Sequence, residues 1–122
     1  MMMTMNNIAP AAPYDATDPV DVKAAIVAQL RQVHDPEIPV NIYDLGLIYR
    51  IELFPTETAF RAEIDMTLTS PNCPVAGQMP GMVEAAARHV AGLESVAVQL
   101  VFDPPWSRDV MSDAAKLELN LF

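Results

Sequence analysis

Cys73 is the single cysteine among 122 residues, and it stands in the run Thr69-Ser70-Pro71-Asn72-Cys73-Pro74. A thiol there can attack an electrophile or ligate a soft metal, and both tasks need the thiolate. If a helix begins just after Cys73, its unpaired amides and positive dipole end favour that thiolate and lower the pKa below the ~8.5 of a free thiol. The competing reading is a small buried hydrophobe, the common state of an unpaired cysteine, and the polar, proline-bracketed surroundings weigh against it. Thr69 and Ser70 place hydroxyls just upstream, where they can line the same pocket or serve as ordinary strand-end turn residues. Asp35, Glu37 and Asp44 form a second group, interleaved with Pro36 and Pro39. Carboxylates on a stiff loop can hold a hard cation, exchange protons, or cap turns and the following backbone. On these residues alone a solvated loop is the simplest reading.

Other side chains carry weaker signals. His34 can ligate a metal but reads as a dipole partner or surface group at a helix end; His89, between Arg88 and Val90, reads as structural. Gly46, after Asp44-Leu45, suits a close backbone approach or a bulge at a strand entrance. Trp106, behind Pro104-Pro105, reads as a lid on the core rather than an exposed docking group. There is no second cysteine for a redox C-x-x-C, no Cys/His quartet for structural zinc, and no glycine-rich phosphate loop, since Gly77 and Gly81 stand apart. Nothing local supports pairing Cys73 with a histidine as in a cysteine protease.

Seven Lys and Arg against 16 Asp and Glu give a net charge of -9, with no basic cluster, which disfavours binding to phosphate backbones and acidic lipids. A lone thiol cannot form an internal disulfide and suits the reducing cytoplasm. The apolar runs fall short of the ~20 residues of a spanning helix, and the N-terminus lacks the basic and apolar regions of an export signal.

The chain has room for one core. Residues 1 to 18, with clustered methionines, Pro10 and Pro13, read as a flexible arm, and residues 19 to 122 as the folded domain. Asp18-Pro19 signals a helix start, and Val22, Ala25, Ile26, Leu30 and Val33 form an apolar stripe for a helix over about 19 to 33. The prolines of the Asp35–Pro39 loop end it. Alternation predicts a strand from Leu45 to Phe54, with Leu45, Leu47, Tyr49, Ile51 and Leu53 inward. A second runs from Phe60 to Leu68, with Arg61, Glu63, Asp65 and Thr67 outward. The short link between them implies an antiparallel hairpin. Met79, Val83, Ala86, Val90 and Leu93 mark a second helix with Gly92 as its C′ residue, its start open between Pro74 and Pro80. Val96 to Phe102 alternate as a third strand, and a last helix is expected from Ser107, burying Val110, Met111, Ala114 and Leu117. The order α-β-β-α-β-α predicts an α+β two-layer sandwich, with helices on one face of a small mixed sheet.

Three runs in this order, residues 35 to 49 (from Asp35-Pro36-Glu37 to Leu47-Ile48-Tyr49), Thr69 to Pro74, and Phe102-Asp103-Pro104-Pro105-Trp106, resemble the SufT/PaaD-like family of iron–sulfur cluster assembly accessory proteins. The resemblance spans about residues 20 to 120. It implies a domain similar to the C-terminal domain of the NifU scaffold, a non-enzymatic role in maturing iron–sulfur proteins, and a site of Asp35, Glu37, Thr69, Ser70 and Cys73, with Cys73 as the functional thiol and a labile metal ligand. The cysteine-rich C-terminal extension of the oxygenase-maturation branch is absent, so the SUF-linked branch fits better. One cysteine cannot supply four thiolates. The expected cargo is therefore transient iron or an iron–sulfur cluster with no tightly bound cofactor, and the expected partners are assembly machinery, apo-protein clients and a homodimer mate formed through sheet edges. The alternatives are a thiol enzyme or redox sensor using Cys73, a maturation factor for a multicomponent oxygenase, and a purely structural interaction module.

Overall fold

The structure, a computed structural model, describes residues 14–35, 38–69 and 77–119. Its elements are α1 (Pro19–Leu30), β1 (Ile48–Pro55), β2 (Phe60–Met66), α2 (Met79–Ala87), β3 (Leu93–Leu100), a 3-10 turn (Arg108–Val110) and α3 (Asp113–Glu118). The expected α-β-β-α-β-α order and α+β class are what the chain adopts.

Asp18 starts α1 by accepting the Val20 N–H at 2.9 Å, with Pro19 at the first turn. This occupies an otherwise orphaned donor and wastes none on the proline. The helix stops at Leu30, short of 33, because the next residues tighten into i to i−3 bonds, from Gln32 N–H to Gln29 and from Val33 N–H to Leu30. Val22, Ile26 and Leu30 are fully buried, each contributing about 1.5–3 kcal/mol by leaving water. Ala25 and Val33 pack beside them.

β2 lies between β1, its antiparallel partner, and β3, its parallel partner. Its alternation is clean: Ala62, Ile64 and Met66 are buried, while Arg61, Glu63 and Asp65 line the opposite face. There Arg50 pairs with Glu52, Glu63 and Asp65, its Nε 2.9 Å from the Asp65 carboxylate, and Arg61 pairs with Glu63 and stacks 4.4 Å from the Phe54 ring centroid. Hydrogen bonds from Arg61 and then Arg50 hold the Glu63 carboxyl below its ordinary range, and those that Arg50 donates to Asp65 and then Glu63 raise its guanidinium. α1 packs on α2 and β1, and α2 on β3, so both helices cover the apolar face.

Several details differ from the sequence expectations. β1 begins at Ile48, since turns through Asn41–Gly46 precede it, although Leu45 and Leu47 are buried as anticipated. Tyr49 is not an inward ladder residue. It falls at an irregularity between the Ile48–Met66 and Arg50–Asp65 pairs, and its hydroxyl donates to the Pro104 carbonyl at 2.8 Å. Thr67 is buried rather than on the polar face, because beyond Met66 the chain leaves the ladder and the Thr67 N–H bonds Leu47 O at 2.8 Å. α2 begins at Met79 with Pro80 in its first turn, and Pro74 lies outside the described residues.

Gly92 is not the C′ residue of α2, which ends at Ala87. It takes φ +99° at the entry to β3, where an added Cβ would stand 2.6 Å from the Ala16 carbonyl oxygen. Residues 14 to 18, assigned to the arm from sequence, meet the domain here: the Tyr14 hydroxyl donates to the Ala91 carbonyl, and the Asp15 N–H to the Asp21 carboxylate at 2.9 Å. Residues 1–13 of the arm lie outside the described residues.

At the C-terminal end, the helix expected from Ser107 divides into the 3-10 turn and α3. Ser112 caps α3 by accepting the Ala115 N–H at 3.1 Å, and its own N–H binds the Asp44 carbonyl at 2.8 Å. That distant acceptor selects Ser112 over Ser107 as the cap. Met111 and Ala115 are therefore buried, whereas Val110, Ala114 and Leu117 are exposed.

Candidate functional site

Parallel pairing puts the C-terminal ends of β2 and β3 at one end of the sheet, and antiparallel pairing brings the start of β1 there too. Backbone bonds continue the convergence beyond the strands. The Val101 N–H donates to Met66 at 2.7 Å, Thr67 to Leu47 at 2.8 Å, and Leu47 to Ile42 at 3.1 Å. The indole N–H of Trp106 reaches the Leu45 carbonyl at 2.6 Å across 61 positions, and its ring packs on the core. The first and third sequence runs thus meet at one end of the fold, the end where β2 runs on through Leu68 to Thr69. Trp106 acts as the expected lid, pinning the third run on the first.

The loop from Val33 to Ile42 is closed by the Ile42 N–H on Val33 O at 2.8 Å and by a bridge between His34 and Asn41. Asp35 is its organising residue. Only 8% exposed, it is buried rather than solvated, and its carboxylate accepts the Ile38 N–H at 2.8 Å while its own N–H bonds Val40 O at 3.2 Å. The side chain so spans the two intervening positions and fixes where the loop leaves and returns. Two proline neighbours suggest stiffness, but they do not reveal this inward turn.

The third carboxylate has a different task. Asp44 accepts the Asn41 amide at 2.9 Å while the Asn41 side-chain oxygen accepts the Asp44 N–H at 2.9 Å, a closed pair that sets the turn into Gly46. Arg31 approaches Asp44 at 3.8 Å and lies over the Tyr43 ring, 5.0 Å from its centroid. The sequence reading missed the role of Asn41; its spacing to Asp44 in a turn was the available signal. Gly46 makes the close approach anticipated for it, with φ +81° and a hypothetical Cβ 2.4 Å from the Val110 carbonyl oxygen.

Of the five sequence-derived site residues, Asp35 is placed as above, and half-buried Thr69 follows Leu68 at the same end of the sheet. Glu37, Ser70 and Cys73 lie outside the described residues. His34 and His89 are both exposed, and among the described residues no three His, Cys, Asp or Glu side chains converge as a metal site.

The described part of this end thus joins the Asp35 loop, the turn at Asp44 and the Pro104-Pro105-Trp106 segment on a small α+β domain. The chain belongs to the family of iron–sulfur cluster assembly proteins, matching it over residues 23–100. It is 47% identical over 99 residues to the Fe-S protein maturation auxiliary factor of Porphyromonas gingivalis, covering 78% of this chain and 88% of that one. To the Fe-S protein maturation auxiliary factor YitW of Bacillus subtilis it is 37% identical over 100 residues, covering 82% and 95%. Its fold is similar to the crystal structure of a domain of unknown function, DUF59, from Bacillus anthracis, with a TM-score of 0.70, 36% identity, and coverage of 83% of this chain and 93% of that one. No helix among the described residues is long and apolar enough to cross a membrane.

Proposed function

We propose that this chain is a non-enzymatic accessory factor that helps deliver iron–sulfur clusters to apo-proteins through Cys73. The observation that carries this reading is the contact of the first and third sequence runs, Trp106 on Leu45 and Tyr49 on Pro104, at the end of the sheet where β2 runs on to Thr69, in a chain that belongs to an iron–sulfur assembly family. Asp35, Glu37, Thr69, Ser70 and Cys73 make up the proposed site. Asp35 is its positioning residue, tying the loop that carries Glu37; Cys73 supplies the soft ligand. Iron or a cluster is cargo here. With one thiol per chain, a four-thiolate cluster needs ligands from a client, glutathione or carboxylate oxygens, so it is held weakly and handed on. Such a factor meets two kinds of partner, the assembly machinery that supplies the cluster and the apo-protein that receives it. It works in the cytoplasm, where its thiol stays reduced.

A deletion strain tests the role. Under iron limitation and oxidative stress, the activity of a cluster-dependent dehydratase is expected to fall well below that of the parent while the amount of its polypeptide is unchanged. Equal activity in the two strains contradicts the proposal.

A further inference from the structure

We propose that the open edge of β3 pairs with the same edge of a second copy, antiparallel about a two-fold axis through Val98, so that two three-stranded sheets become one. Among the described residues nothing pairs with the outer side of β3, and a surface depression lined by Arg88 and Leu93 to Val96 opens beside it. The other edge strand carries the devices that discourage pairing: Arg50 and Glu52, the irregularity at Tyr49, and Pro55. β3 has none from Ser95 to Leu100. Its one carboxylate, Glu94, falls at a register shift, and accepts the Thr56 and Thr58 hydroxyls at 3.1 and 3.4 Å, which holds the charge at the start of the strand.

The backbone defines the register. The Val101 N–H donates to Met66 of β2, so by strand alternation Gln99 and Ala97 also turn their polar groups to β2, while Leu100, Val98 and Val96 turn theirs to the open side. An axis through Val98 sets Val98 against itself and Val96 against Leu100, which makes every outward-turned residue part of a hydrogen-bonded pair. The same axis puts the inner-face Val96, Val98 and Leu100 side by side. Val98 and Leu100 are only partly buried in one chain, and pairing extends the apolar face over them. On the outer face Ala97 meets Gln99, so no like charges oppose each other. This complementarity favours a second copy over a foreign strand, whose charges would have to be absent at the same places. Antiparallel pairing sends the two site ends to opposite sides of the axis, leaving each open to its own client.

Each copy carries a charge of -9, so long-range repulsion opposes association and salt, by screening it, strengthens the dimer. Sedimentation equilibrium of the full chain is expected to show a dimer that grows with protein concentration and with added salt. In that series amide exchange at Val96, Val98 and Leu100 slows with concentration, while at Ala97 and Gln99 it is slow throughout. Val98→Pro removes an outward N–H and no bond to β2, and is expected to give a folded monomer; if that variant fails to fold, the exchange pattern of the unaltered chain decides. A monomer at every concentration and salt, a dimer whose Val96, Val98 and Leu100 amides are insensitive to concentration, or a folded Val98→Pro dimer overturns the proposal.

Discussion

Cells whose only copy carries Cys73→Ser are expected to mature iron–sulfur clients no better than cells lacking the protein. The exchange replaces one sulfur by oxygen and changes volume little. The chemistry is not preserved: a serine hydroxyl stays protonated at neutral pH and offers no soft anionic ligand, whereas a thiol, with an ordinary pKa of ~8.5, gives a thiolate to a soft metal. Circular dichroism and the thermal midpoint of the purified variant should match those of the unaltered protein, which separates lost chemistry from lost fold. Full restoration of client activity by Cys73→Ser would remove the thiol from the mechanism.

The largest stability effect of a single methyl is expected at Gly46. Gly46→Ala forces an L side chain into φ +81°, which costs about 1–2 kcal/mol for the left-handed backbone alone. The new Cβ would also stand 2.4 Å from a backbone oxygen, that of Val110, so the 3-10 turn must shift, and with it the Ser112–Asp44 bond that follows. Together these predict a loss of about 2–4 kcal/mol, read from urea unfolding as a fall in midpoint at constant slope. Gly81→Ala is the control. An added Cβ there meets nothing within 4 Å, and alanine in this helix is expected to stabilise by about 0.5–1 kcal/mol. A Gly46→Ala variant as stable as the unaltered chain contradicts the close approach.

The regular elements were legible because their signals are local. Phe60 to Met66 alternates without error since β2 is the central strand, with helices on one face and an ionic lattice on the other. Asp18-Pro19 announces α1 within two residues. Three of the misses share a cause, which is a partner distant in sequence. Ser107 and Ser112 look alike until Asp44 O selects the second, and Gly92 reads as a helix cap until Ala16 is seen against it. Tyr49 is apolar enough to count inward, yet its hydroxyl bonds Pro104, 55 positions away. At the described part of the candidate site the division of labour among carboxylates was not legible. Asp35, Glu37 and Asp44 look equivalent in sequence, but Asp35 turns inward to tie its loop while Asp44 closes a turn with Asn41.

With Asp35 and Asp44 engaged in their own turns, the proposed function assigns the working carboxylate to Glu37 and the soft ligand to Cys73. In such a pocket a carboxylate opposes the thiolate by like-charge repulsion, and a bound cation relieves the conflict by neutralising both. The rate of Cys73 alkylation in the purified full-length chain, with and without ferrous iron under anaerobic conditions, measures this directly. Iron is expected to slow the reaction, and Glu37→Ala to abolish the slowing while leaving the iron-independent rate measurable. Alkylation of Cys73 at one rate regardless of iron would contradict a metal-handling site at this end of the sheet.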